Sequence, residues 1–196
     1  MGKFIFSALF FITTIFEVSA SERFIPLELF LGSEIRGEND IKFVKVDNTF
    51  DRGRKRIVGP IDWKNSKTNK IVKVYKRIHI RKNKIQLFTP TNNNETVGRV
   101  YDSRYDAVIK NGAKFPLGKW SEGETRKYNS IYYYPDGRTK EYIKSITVGE
   151  INFKFRGNDN CLNFRWTKKK KNSGTVIDDN NYIFCPGKGL IKIIDR

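Results

Sequence analysis

The sequence predicts a mainly β protein, an antiparallel sandwich or barrel-like meander with at most one short helix after an N-terminal signal peptide. Three observations predict it: hydrophobic residues recur with period two, turn residues interrupt them at short intervals, and only one segment has helical punctuation. Composition is compatible with a packed core. Of 196 residues, 38% are hydrophobic and 14% aromatic, while 38 Lys and Arg against 21 Asp and Glu give a formal charge of +17. These figures exclude an acidic disordered tail, a collagen-like repeat and a polytopic membrane protein.

The first element, residues 1–20, reads as a secretory signal peptide. Lys3 supplies a positive start, Phe4 to Phe16 an apolar stretch, and Val18-Ser19-Ala20 a small-residue cleavage site. The apolar stretch is shorter than the roughly 20 residues a membrane-spanning helix needs. Cleavage after Ala20 leaves residues 21–196 as one β-rich domain, or two lobes at 21–90 and 101–196 if the polar stretch Thr89–Asn94 separates them. Export to the periplasm or the cell exterior also explains the cysteines. Cys161 and Cys185, 24 positions apart, lack metal-site spacing and predict a structural disulfide in an oxidising compartment.

Along the mature chain, Ile41–Val46 alternates as a strand. Ile71–Arg81 and Lys84–Phe88, joined by Lys82-Asn83, predict a hairpin. Asp102-Ser103 predicts a cap for a short helix over 104–110, with Asn111-Gly112 ending it. Ile131–Tyr134 and Thr139–Ile143 flank Pro135-Asp136-Gly137-Arg138, a second hairpin. Further strands are expected over 146–155, 161–166, 181–185 and 190–194, with the Lys168–Lys171 run in a solvated turn. Gly118-Lys119-Trp120 is similar to the Gly-x-Trp signature of lipocalins. Only about 75 residues follow it, fewer than an eight-stranded barrel usually takes, so the resemblance carries over no ligand pocket.

The charge is local. Residues 52–84 hold thirteen bases and one acid, Asp62, whereas residues 21–51 hold four bases and seven acids. Arg52, Arg54, Lys55 and Arg56 come first. Alternation then places Lys73, Tyr75, Arg77, His79 and Arg81 on one strand face, opposite the apolar Val72, Val74, Ile78 and Ile80. The reading is a strand whose apolar face sits on the core while its cationic face binds an anion: a nucleic acid, an acidic glycan or an anionic membrane surface. A protein partner is the other class this chain suits, as a structural envelope or interaction module, or a secreted effector.

Catalysis has less support. His79 is the single histidine, so mechanisms needing two imidazoles are excluded, and no phosphate-cradling or dinucleotide motif is present. A basic hydrolase could combine His79, Arg77 and a carboxylate on RNA, or use Glu122 with Glu124, or Asp178 with Asp179, on a glycan. No catalytic residue, metal ligand or cofactor is assigned from the sequence.

Overall fold

The computed structural model describes residues 21–32, 46–50 and 53–195. The expected signal peptide, residues 41–45 of the first expected strand, and Arg52 lie outside the described residues. The chain runs through β1 (Glu22–Ile25), α1 (Leu27–Leu31), β2 (Val46–Phe50), β3 (Gly53–Lys64) and β4 (Ile71–His79), then a 3-10 turn at Ile80–Lys82. β5 (Lys84–Pro90), β6 (Thr96–Asp102), β7 (Ala107–Lys110), β8 (Ala113–Pro116) and β9 (Gly118–Ser121) follow. Longer strands complete the chain: β10 (Thr125–Tyr133), β11 (Thr139–Phe155), β12 (Asn158–Lys170), β13 (Val176–Cys185) and β14 (Gly189–Asp195).

The expected antiparallel meander is present. One sheet has the order β2-β3-β4-β5-β6-β7-β10-β11-β12-β13-β14, with β8 pairing with β6, while β1 and β9 form a separate ribbon. The terminal strands β2 and β14 come into contact, so the sheet curls back on itself as a barrel-like meander. Both predicted hairpins form. Asn83, at φ 44°, closes the β4–β5 turn, and Asp136 accepts the Arg138 N–H between β10 and β11. Thr89–Asn94 ends β5 and begins a tight connection to its neighbour β6, closed by Thr91 N–H donating to Thr96 O.

The predicted helix over 104–110 is instead a turn followed by β7. Asp102, the expected cap, accepts the Arg104 N–H, but its carboxylate also binds Gln86, Arg99 and the Arg104 guanidinium. Ala107, Val108 and Ile109 are all buried, which suits a strand covered on both faces rather than one helical stripe. β7 is accordingly hydrogen-bonded to β6 and β10. The one α-helix among the described residues, α1, follows Pro26 and ends at Gly32, whose φ of 82° needs a residue without a Cβ.

That helix anchors the core. It carries Phe30 inward against Phe88, Phe115 and Phe184, with ring centroids 5.2, 5.4 and 6.1 Å away. Phe164 and Leu162 from β12 and Val148 and Ile146 from β11 complete the apolar half of the interior. The predicted disulfide joins Cys161 on β12 to Cys185 on β13. Closing a loop of that size contributes about 3 kcal/mol by restricting the unfolded chain.

A candidate anion-binding cavity

The interior changes character along the strands. On β11 the inward positions are Tyr142, Lys144, Ile146 and Val148; their β12 partners Lys168, Trp166 and Phe164 lie opposite the last three. β13 continues the rows with Asp178, Asn180 and Tyr182. Thus a charged row gives way, two residues at a time, to an aromatic and aliphatic one. The opposite wall repeats the gradient. Lys55, His79 and Lys84 form one cross-strand row on β3, β4 and β5, and Arg77, Gln86 and Asp102 a deeper one on β4, β5 and β6.

These walls enclose a cavity of about 240 Å³ whose mouth carries the exposed Lys82 and Lys84 and the turn residues Arg104 and Tyr105. Eight lysines and arginines line it: Lys55, Arg77, Lys82, Lys84, Arg99, Arg104, Lys114 and Lys168. Asp178 is the one carboxylate among the lining residues, and Asp102 lies beneath, wholly buried. This cavity is not one implied by the Gly118-Lys119-Trp120 resemblance. It exists because strands before Gly118 supply one complete wall.

Asp102 organises that wall. It accepts from Arg99 Nη1 at 2.7 Å, Arg104 Nη2 at 2.7 Å and Gln86 Nε2 at 2.8 Å, while Gln86 Oε1 accepts from Arg77 Nη2 at 2.7 Å. Burial alone would raise the carboxyl's pKa, but the Arg104 hydrogen bond and the charges of Arg99 and Arg104 hold it well below the usual range. Arg77 and Arg99 both stack over Phe88, at 4.5 and 5.7 Å from its centroid. Each is more than nine-tenths buried and keeps a buried Nε–H with no acceptor. A buried guanidinium edge without a partner is costly unless something binds it.

The lysines are equally unusual. Lys114 donates to the Tyr182 hydroxyl at 2.6 Å and lies 3.3 Å from the Trp166 ring centroid; Lys168 sits over Tyr142 at 3.8 Å and Tyr132 at 4.3 Å. Lys144, 1% exposed, lies directly opposite Lys168. Among the described residues no carboxylate is within ion-pair distance of any of these three ammonium groups. Burial, then neighbouring guanidinium charge, lowers their pKa values, that of Lys168 to about 8 and those of Lys114 and Lys144 well below the ordinary lysine range. Lys55 is pressed down to about 6 by burial and by Arg77, Arg99 and Arg104, and Arg77 to about 9 by burial and Arg99.

Lys144 gives a direct test. Its folded-state pKa is below that of the unfolded chain, so the unfolded state binds the extra proton and stability rises with pH up to about 10.5. Lys144→Met is expected to stabilise the protein by about 1–2 kcal/mol at neutral pH and to flatten that rise, measured by urea unfolding across pH. Loss of stability would show that the ammonium is held by compensating charge.

The sequence-predicted anion-binding residues separate in space. Lys55, Arg77 and His79 line the cavity, whereas Tyr75 is buried in the adjoining aromatic core. Arg54 lies on β3 opposite Thr49, and Arg56, half-buried, opposite Ile78. Lys73 is exposed and pairs with Asp62 at 2.8 Å, and Arg81 is exposed in the 3-10 turn. The cationic face of β4 therefore turns inward from Tyr75 to His79, the reverse of the expected stripe. Gln86 on β5 satisfies part of Arg77, and Phe88, on the same strand, supports its plane. Lys168 is another reversal: β12 extends to Lys170, which takes Lys168 out of the expected turn and buries it to 6% exposure. Of the candidate acids, Glu122 accepts Ile151 N–H, Glu124 accepts Ser121 N–H and pairs with Arg126, and Asp179 pairs with Arg165. Only Asp178 faces the cavity.

No protein family, characterised protein or solved structure was found to match this chain. The functional reading therefore rests on the cavity's chemistry.

Proposed function

We propose that this chain is an exported small β-domain that binds an anionic partner, with the anionic group seated in the cavity rather than on an outer stripe. The observation that carries the reading is the convergence of eight lysines and arginines on one concavity faced by a single lining carboxylate. Such a focus raises the local concentration of anions and offers charge-assisted hydrogen bonds where water is scarce. Among a nucleic acid, an acidic glycan and an anionic membrane surface, the shape favours the glycan. A charged group on a narrow chain can enter; a duplex or flat bilayer meets mainly the rim. Export is supported by the disulfide and the N-terminal sequence pattern.

The test compares heparin, RNA and acidic vesicles as ligands at several salt concentrations. Heparin is expected to bind most tightly, with affinity falling steeply as salt rises. Lys82 and Lys84 are exposed at the mouth, so Lys82→Glu with Lys84→Glu should leave the fold intact and weaken heparin about tenfold or more. Unchanged affinity, or binding indifferent to salt, would remove the cavity from the function. RNA cleavage that disappears in His79→Ala would instead establish the hydrolase alternative.

A further inference from the structure

We propose that the group this cavity accepts is a tetrahedral oxyanion, a sulfate or phosphate ester, and that lysines of the cavity take up protons as it binds. The inference rests on the anion-binding reading above and specifies the chemistry of the same site.

Donor placement favours a tetrahedral group. A carboxylate presents two oxygens in one plane and is satisfied by one guanidinium fork. Two guanidinium groups line this cavity, those of Arg77 and Arg99 on β4 and β6, which share the Phe88 ring. Lysine donors approach from other walls: Lys114 on β8, Lys168 on β12 and Lys55 on β3. A sulfate or phosphate ester presents three outward oxygens and can meet donors from several directions. The surplus of positive charge also favours a ligand carrying more than one negative charge.

Proton uptake follows from the same crowding. The groups facing Lys55 and Lys168 are mostly cations or neutral phenols. Arg77 and His79 face in from β4, Lys84 from β5 with Lys82 before it, and Arg99 with Arg104 and Tyr105 from β6 and its turn. Lys114, Tyr132, Lys144 with Tyr142, and Tyr182 complete the ring from β8, β10, β11 and β13. Among the described residues that line the cavity or lie directly beneath it, the acids are Asp178 and the engaged Asp102. Burial and the neighbouring cations lower the pKa of Lys55 to about 6 and that of Lys168 to about 8. An oxyanion among them reverses the local field and favours the ammonium form. Binding therefore takes up protons above the free-state pKa of about 6 for Lys55, and affinity must fall as pH rises through that window.

Titration calorimetry in buffers of different ionisation enthalpy tests both parts. The probes are a sulfated disaccharide, whose sulfate esters do not titrate near neutrality, inorganic pyrophosphate, and an unsulfated uronic-acid disaccharide. The sulfated disaccharide, pyrophosphate or both should bind and compete with heparin, and the tighter one identifies the ester. With the sulfated probe, about one proton should be taken up per ligand near pH 7.5, and Kd should weaken about tenfold per pH unit above that. Lys55→Met should lower the uptake, and the free protein should stay folded with a thermal transition at or above that of the parent. Binding without proton uptake overturns the linkage, and a preference for the uronic acid overturns the tetrahedral assignment; in either case heparin binding leaves the anion-binding reading standing. If heparin and all three probes fail to bind, that reading falls as well.

Discussion

Asp102→Ala is expected to destabilise the protein by about 3–5 kcal/mol, read as a fall in the urea midpoint. The carboxylate is wholly buried and is the shared acceptor for Arg99, Arg104 and Gln86, through which it also positions Arg77. Removing it leaves neighbouring guanidinium groups facing one another in a low-dielectric wall, and that repulsion, more than the lost hydrogen bonds, sets the size of the effect. The pH dependence has a definite sign. Because the folded-state pKa lies below the ordinary 3.8, the carboxylate's contribution is fully present above that value and is lost as pH falls through the lower folded-state value. Asp102→Asn should retain the shape and lose the charge, with a cost approaching that of alanine. A multivalent anion such as heparin should recover part of the stability of Asp102→Ala by supplying the missing negative charge. A loss below about 1 kcal/mol in Asp102→Ala would mean that the arginines rearrange into solvent.

Phe115→Ala is expected to cost about 3–5 kcal/mol, through a cavity left in the apolar half of the interior. The ring is fully buried on β8, with centroids 4.8 Å from Phe184, 5.4 Å from Phe30 and 5.6 Å from Phe164. Those partners come from β13, α1 and β12, so one ring links the short helix to the curled sheet. Its neighbour on the chain is Lys114, which faces the cationic cavity. Phe115→Leu should recover roughly half the loss, since most of the volume returns without the edge-to-face ring geometry. If alanine proved nearly neutral, α1 and β8 would have to collapse into the vacated space, and anion binding through Lys114 should then weaken with it.

Much of the fold was legible because strand period and turn chemistry are local. Lys82-Asn83 and Pro135-Asp136-Gly137-Arg138 read as hairpin turns and are hairpin turns. The 104–110 segment misread because Asp102 resembles a helix cap until the long-range pairing of β6 with β5 and the Arg99 and Gln86 side chains claims its oxygens. The candidate site was legible only in part. Lys55, Arg77 and His79 lie within the charge-rich segment, but Arg99, Lys114, Lys144 and Lys168 come from strands far along the chain. A lysine in an alternating strand ordinarily marks the outward face. Lys144 occupies the same inward series as Ile146 and Val148, and no neighbouring residue in sequence announces it.

The sequence by itself determined an antiparallel meander, a stapled pair of strands near the C-terminus and a strong local surplus of positive charge, since each depends on composition, period two or a spacing of residues along the chain. Tertiary structure decided where that charge points. Curling brought the inward cations of distant strands together around one space, and Asp102, Gln86 and the aromatic rings made their burial tolerable. An outward stripe on β4 would have needed only that strand; an inward cavity required the sheet to close around it.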